Sequence, residues 1–146
     1  MIEIQITRLP HAPEELPEYK SVGAVGMDLR LASDDVILKP GERMLLPTGF
    51  AIAIPEGFEG QVRMRSSFAL KTGLFMPNAP GTIDPDYRGE LKVLVMNASP
   101  ENVTIQAHER FAQLLITPVA RCEWRVVEAL PESARREGGF GSTGTH

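Results

Sequence analysis

Ile2, Ile4 and Ile6 alternate with Glu3, Gln5 and Thr7, the period of two that buries one face of a strand. The pattern predicts that the chain opens on a strand. Pro10, Pro13 and Pro17 then interrupt regular structure as far as Tyr19. Beyond it short apolar segments recur. Met27 to Leu31, Met44 to Leu46, Phe50 to Ile54, Val62 to Met64, Leu91 to Met96, Val103 to Ile105, Arg110 to Val119 and Trp124 to Ala129 all read as strands. Turn formers separate them, among them Lys39-Pro40-Gly41, Pro55-Glu56-Gly57 and Pro77-Asn78-Ala79-Pro80-Gly81. Short strands at spacings of roughly 8 to 12 residues indicate a sandwich or a closed barrel. One short helix is expected over Ser66 to Thr72, with serines at its start and Gly73 at its end. Phe50 and Trp124 read as core residues.

Composition narrows the class. A chain of 146 residues is one domain's worth and can bury a core without disulfides or structural metal. Its 13 Gly and 12 Pro agree with many turns. No apolar run approaches the ~20 residues of a membrane-spanning helix, so no membrane association is expected. Met1 to Pro10 carries charge inside its alternation, which does not suit a signal peptide. A single cysteine, Cys122, leaves no internal disulfide and fits a reducing compartment, so a cytoplasmic location is expected. The glycosylation sequons at Asn97 and Asn102 then read as chance. A formal charge of -4 argues against a nonspecific nucleic-acid binder, although 11 of the 15 basic residues are Arg, the residue suited to bidentate phosphate contacts. His11, His108 and His146 show no metal-ligand spacing.

Three stretches carry candidate chemistry. Arg63-Met64-Arg65-Ser66-Ser67 feeds the short helix, so it is either an N-cap with solvated arginines or an anion site with Arg65 beside free N–H groups. Asn78 to Arg88 is either an ordinary hairpin or a site where one of two acids activates a water as general base. The final residues hold four of the 13 glycines. Gly139-Phe140-Gly141-Ser142-Thr143-Gly144 formally matches a dinucleotide fingerprint, but only Thr145 and His146 follow, so no helix completes it. That tail is either mobile or an arm that closes over phosphates, with Arg135 and Arg136 supplying charge and Phe140 a face for stacking. Asp28 is an isolated acid on an apolar strand, where a charge needs a reason.

Taken in order, five segments resemble the motifs of the trimeric dUTPase family, the dUTP diphosphatases. They are Ala24 to Leu29 (AVGMDL), Arg65 to Ala69 (RSSFA), Asn78 to Gly89 (NAPGTIDPDYRG), Glu109 to Gln113 (ERFAQ) and Arg135 to Gly144 (RREGGFGSTG). The resemblance implies a distorted all-β jelly roll over residues 1–130 and a flexible glycine-rich arm over residues 131–146. It implies hydrolysis of dUTP to dUMP and diphosphate by water attack at the α-phosphorus, which keeps uracil out of DNA and supplies dUMP for thymidylate synthesis. It also implies a homotrimer with active sites at subunit interfaces, and Mg²⁺ held mainly by the triphosphate, with Asp28 acting on the metal through water. Carried over residue by residue, Asp84 is the general base. Arg65, Ser66, Ser67 and Gln113 hold phosphates, and Ser66 neutralises charge developing in the transition state. Asn78 and the backbone of Gly81, Thr82 and Ile83 read the uracil edge, while Tyr87 packs under the sugar and leaves no room for a 2′-hydroxyl. Arg135, Ser142 and Thr143, with Gly141, grip the γ-phosphate, and Phe140 covers the uracil ring; Arg136 is a second candidate for the arginine grip. Tyr87 and the aromatic-glycine arm favour this reading over the homologous dCTP deaminases.

Overall fold

The computed structural model describes residues 2–134, 136 and 137. The elements run β1 (Gln5–Arg8), β2 (Met27–Arg30), β3 (Val36–Leu38), β4 (Arg43–Pro47), β5 (Phe50–Ala53), β6 (Phe58–Met64), α1 (Ser66–Thr72), β7 (Leu74–Phe75), β8 (Gly81–Ile83), β9 (Lys92–Asn97), β10 (Val103–Ile105) and β11 (Arg110–Pro118). Their antiparallel pairings are nested: β2 with β11, β3 with β10, and β4 with β9. A chain doubled back into one long ribbon and then coiled produces this order, which is the topology of a jelly roll. β11 also pairs with β6, and β6 with β8, so one sheet reads β2-β11-β6-β8.

The core lies inside the roll. Leu31, Leu38, Val95, Ile105 and Phe111 have no measurable exposure. β9 shows how alternation builds it, with Val93, Val95 and Asn97 inward and Lys92, Leu94 and Met96 more exposed. Asn97 is a polar residue at an inward position, and its amide is fully satisfied. Nδ2 donates to the Leu38 and Glu101 carbonyls at 2.9 and 2.8 Å, and Oδ1 accepts the Ser99 N–H at 2.8 Å. Such pairing removes the penalty of burying an amide.

The short helix forms over the residues the sequence predicts, but no serine caps it. Arg65 is the capping residue, in extended conformation and without a side-chain cap, so Ser66 and Ser67 lie in the first turn with their hydroxyls free of capping duty. Gly73 closes the helix in the left-handed region at φ 71°. Phe68 anchors the helix edge-on against Phe111, ring centroids 6.4 Å apart.

Three expectations change: the opening strand begins only at Gln5, with Ile2 45% exposed. The strand predicted over Val62 to Met64 begins at Phe58, because Gly60 hides in its centre; a Cβ there would come within 3.0 Å of Ile54 and Ile83. The segment Trp124 to Ala129 forms no strand, and Trp124 is 90% exposed, so it is not a core residue of this chain. Its alternation is real, with Val126 also 96% exposed, but no part of the chain among the described residues covers it. Among the described residues no helix is long and apolar enough to cross a membrane.

Candidate functional site

The two ends of β6 carry different chemistry. At its C-terminal end, β2 and β11 lie alongside, with Gln113 opposite both Asp28 and Arg63. The β11–β2 register shifts between Arg110 and Ala112. In a regular strand Arg110 and Gln113 would face opposite sides; the irregularity lets both line one cavity of about 280 Å³ together with Asp28, Arg65, Ser66, Ser67 and Lys20. Asp28 has the reason its charge needed. Its Oδ1 is ion-paired with Arg65 Nε at 3.0 Å, and its Oδ2 accepts from Arg110 Nη1 at 2.9 Å. Arg65 Nη1 also donates to the Arg110 carbonyl at 3.1 Å, so both guanidiniums are fixed against a carboxylate that is only 13% exposed.

Gln113 donates through Nε2 to the Met64 carbonyl at 3.3 Å. Its Oε1 lies where a Cβ on residue 26 would sit, 2.3 Å away, so Gly26 leaves the space that this amide occupies. Lys20 is ion-paired with Glu18, and its hydrogen bond and charge hold that carboxyl below its ordinary value.

At the N-terminal end of β6 lies the second group. β8 joins the free edge of β6, Gly60 opposite Ile83, Gln61 opposite Thr82 and Val62 opposite Gly81. The expected hairpin is therefore a turn, a short strand and a second turn, in which the Tyr87 N–H donates to the Asp84 carbonyl at 3.1 Å. Asn78, Gly81, Thr82, Ile83, Asp84, Tyr87 and Lys92 line a cavity of about 220 Å³ floored by Val62 and Met76. Asp84 is exposed at its rim. Tyr87 folds back over Gly89, where a Cβ would stand 2.4 Å from its hydroxyl, and that hydroxyl donates to the Glu90 carbonyl at 3.0 Å.

The Glu90 carboxylate faces the other way. It accepts from the Gly49 N–H at 2.9 Å, pairs with His11 Nε2 at 2.7 Å and has Lys92 Nζ at 3.6 Å. Burial alone would raise this carboxyl, but the His11 and Gly49 hydrogen bonds and the charges of His11 and Lys92 outweigh burial and hold it below its ordinary 4.5.

Sequence reasoning placed Asp28, Arg65, Ser66, Ser67 and Gln113 together, and they are. It placed Asn78, Gly81, Thr82, Ile83, Asp84 and Tyr87 together, and they are as well. The two groups do not meet within one chain. Ile83 pairs with Gly60, so Asp84 lies level with Glu59, and six residues of extended chain, about 20 Å, separate that level from Arg65. Arg135, Phe140, Gly141, Ser142 and Thr143 lie outside the described residues. Arg110, Lys20 and Gly26 were missed. Arg110 is part of the ERFAQ segment, yet only the strand irregularity turns it into the cavity.

No cluster of three or more His, Cys, Asp or Glu able to hold a metal is present among the described residues. Asp28 uses one lone pair of each oxygen on a guanidinium, which leaves acceptor capacity for metal-bound water but suits no multidentate protein site.

Comparison with known proteins agrees with this geometry. The dUTPase family model matches residues 12–144. A deoxyuridine 5′-triphosphate nucleotidohydrolase of Anaeromyxobacter sp. (strain Fw109-5) is 56% identical over 132 residues, 90% of this chain and 89% of its own length. The enzyme of the same name from Wolbachia pipientis subsp. Culex pipiens (strain wPip) is 52% identical over 147 residues, 98% of this chain and 96% of its own. The solved dUTPase of Staphylococcus bacteriophage 80alpha with dUPNHPP superposes with a TM-score of 0.89 at 29% identity, over 99% of each chain. A mutant dUTPase of phage phi11 of S. aureus, which coordinates a structural Mg(II) ion, superposes with a TM-score of 0.80 at 25% identity, over 90% of this chain and 100% of its own. With the nested strand order, the paired-arginine cavity and the Asn78–Tyr87 turn all present in a chain matched over nearly its whole length, the protein belongs to the dUTPase family.

Proposed function

We infer that the protein hydrolyses dUTP to dUMP and diphosphate. The carrying observation is the pair of complementary clusters on β6 in a member of this family: fixed cations at one end, and a small cavity rimmed by a carboxylate at the other. Asn78 and the main chain of Gly81 to Ile83 would read the uracil edge, and Tyr87 would support the sugar where a 2′-hydroxyl would collide. Arg65, Ser66, Ser67 and Gln113 would hold the phosphates, and Arg110 joins them through Asp28. Asp84 would take a proton from the attacking water, and Ser66 would donate to the oxygen that gains charge.

A general base must stand within about 3 Å of its water. Asp84 and Arg65 of one chain are about 20 Å apart along β6, so a second copy supplies the missing half. A homotrimer with sites at its interfaces meets that need. It also gives the exposed Trp124 and Val126 a surface, and the apolar groove of about 440 Å³ between Ile4, Ile6, Tyr19, Met27 and Ile116 an occupant. Residues 131–146 would form an arm beyond the folded body, in which Arg135, Gly141, Ser142 and Thr143 grip the γ-phosphate and Phe140 stacks on the uracil. Mg²⁺ held on the triphosphate would neutralise phosphate charge, with Asp28 holding its water shell; the free acceptor capacity of Asp28 fits that outer role.

Diphosphate release measured with dUTP, dCTP, dTTP and UTP, with and without chelator, tests the reading. Turnover of dUTP with Mg²⁺ is expected, and Asp84→Asn is expected to lower kcat about 10²- to 10⁴-fold while dUpNHpp still binds. Unchanged turnover in that variant removes Asp84 from the role of base.

A further inference from the structure

Glu90 lies just outside the nucleoside cavity and joins three parts of the chain that are remote in sequence. Its side chain is 10% exposed. Its carboxylate takes the Gly49 N–H from the β4–β5 turn and His11 Nε2 from the turn after β1. Its main-chain carbonyl takes the Tyr87 hydroxyl. Both distal supports are themselves rigid. Gly49 stands at φ 78°, and a Cβ on it would come within 2.4 Å of Ala12 Cα, so the two turns are pressed together. Leu9 N–H donates to the Gly49 carbonyl at 2.8 Å, and Ala12 N–H to the Leu9 carbonyl at 2.9 Å, which fixes the backbone on both sides of His11. Leu91, next in sequence, donates to the Phe50 carbonyl at 2.8 Å. Residue 90 is thus the point where the body of the roll takes hold of the Asp84–Gly89 turn.

Tyr87 has few other constraints. It is 44% exposed, it rests on a glycine, and its hydroxyl is tied through the Glu90 carbonyl. If residue 90 shifts, the ring shifts with it. Lys92, which lines the same cavity, faces the second Glu90 oxygen at 3.6 Å, so one carboxylate steadies two walls.

We propose that His11 and Glu90 form a clasp that positions Tyr87, and that this clasp sets how strictly the site rejects a ribose 2′-hydroxyl. The proposal rests on the dUTP reading of the same cavity. Neither residue lines the cavity; they act through Tyr87 as positioning residues. The Tyr87 hydroxyl is the group tied to residue 90, so sugar fit is affected more than the chemistry at Asp84.

The test is a double-mutant cycle between His11→Ala and Tyr87→Phe, read as KM, kcat and the ratio of kcat/KM for dUTP over UTP. Each single change removes one hydrogen bond of the clasp. Each is expected to raise KM for dUTP and to lower the dUTP/UTP ratio about three- to ten-fold, with the larger part of the change in KM rather than kcat. The double variant is expected to be little worse than either single one, because both act on residue 90. His11→Gln, whose Nε2 stands in for the imidazole Nε2, is expected to restore the ratio. Ratios that multiply in the double variant overturn the clasp, as does a His11→Ala ratio equal to that of the parent. A substrate-free measurement separates this proposal from the reading beneath it. The NMR signals of the Tyr87 ring are expected to shift in His11→Ala and to return in His11→Gln. A parent protein inert on dUTP with these shifts present overturns the dUTP reading and the sugar role while the contact stands; an active parent without them overturns the clasp alone.

Discussion

The two ends of β6 hold their residues by different means. At the Arg65 end, charge is held by charge: one carboxylate fixes two guanidiniums at 3.0 and 2.9 Å, and neighbouring ladders fix the backbones that carry them. At the Asp84 end, shape is held by the main chain: two turns, a three-residue strand, glycines at 81 and 89, and a single tyrosine. A polyanion needs cations that stay in place without repelling one another, and Asp28 provides the counter-charge. A base and a sugar, which the proposed function would seat at the Asp84 end, need a close-fitting surface with backbone donors and acceptors, and small residues would provide that. In the proposed reading the strand is a rigid spacer between two unlike recognition devices, each of which another copy of the chain would complete.

The largest effect is expected when the two ends are damaged on different chains. Asp84→Asn and Arg65→Ala are each expected to be nearly inactive. Refolded together in equal amounts, they are expected to recover about a quarter of the parent rate, since random assortment joins an intact Asp84 to an intact Arg65 in that share of sites. No recovery would mean that both ends act within one chain. Next in size, Asp28→Asn leaves two guanidiniums facing a neutral amide. It is expected to lower kcat/KM for dUTP about ten- to hundred-fold, the scale of one or two charge-assisted hydrogen bonds, while the preference for dUTP over dCTP stays as it was. A changed base preference would mean that the ends are not independent.

The smallest effect concerns acid stability at the nucleoside end. The Glu90 carboxyl lies below its ordinary 4.5, so its contribution is fully present above that pH and fades as pH falls through its folded value. The difference in Tm between the parent and Glu90→Gln is expected to be greatest above pH 4.5 and to shrink on further acidification. A difference that stays constant down to pH 3 contradicts the assignment.

Much of this was legible in the sequence where period and punctuation agree. The alternation around Val93 and Val95 and the Gly73 stop of α1 translate directly into structure. β3, β7 and β8, at two or three residues each, are too short to show a period; β7 and β8 exist because the longer β9 and β6 offer them an edge, and β3 because it pairs with the equally short β10. Trp124 to Ala129 has the strand period but no partner among the described residues of its own chain, since a period says that a face is buried and not by whom. Four of the five motifs supply residues that line the two cavities. They could not show that Arg110 swings round a strand irregularity to share Asp28 with Arg65, nor that the two motif groups lie a strand's length apart. Both are properties of register, which no single segment encodes.

The buried amide of Asn97 carries a consequence for where this protein can be made. Asn97-Ala98-Ser99 is an acceptor sequence for N-linked sugar, and in the finished fold its Nδ2 gives both hydrogens to the Leu38 and Glu101 carbonyls inside the roll. A glycan attached to the nascent chain would remove one of those donors and bring a bulky polar group to a position with no free space. Such a chain could not close β9 beside the Leu38 carbonyl. Routing the protein through a eukaryotic secretory host would therefore divert marked chains to degradation, whereas a sugar on exposed Asn102 would leave the roll intact.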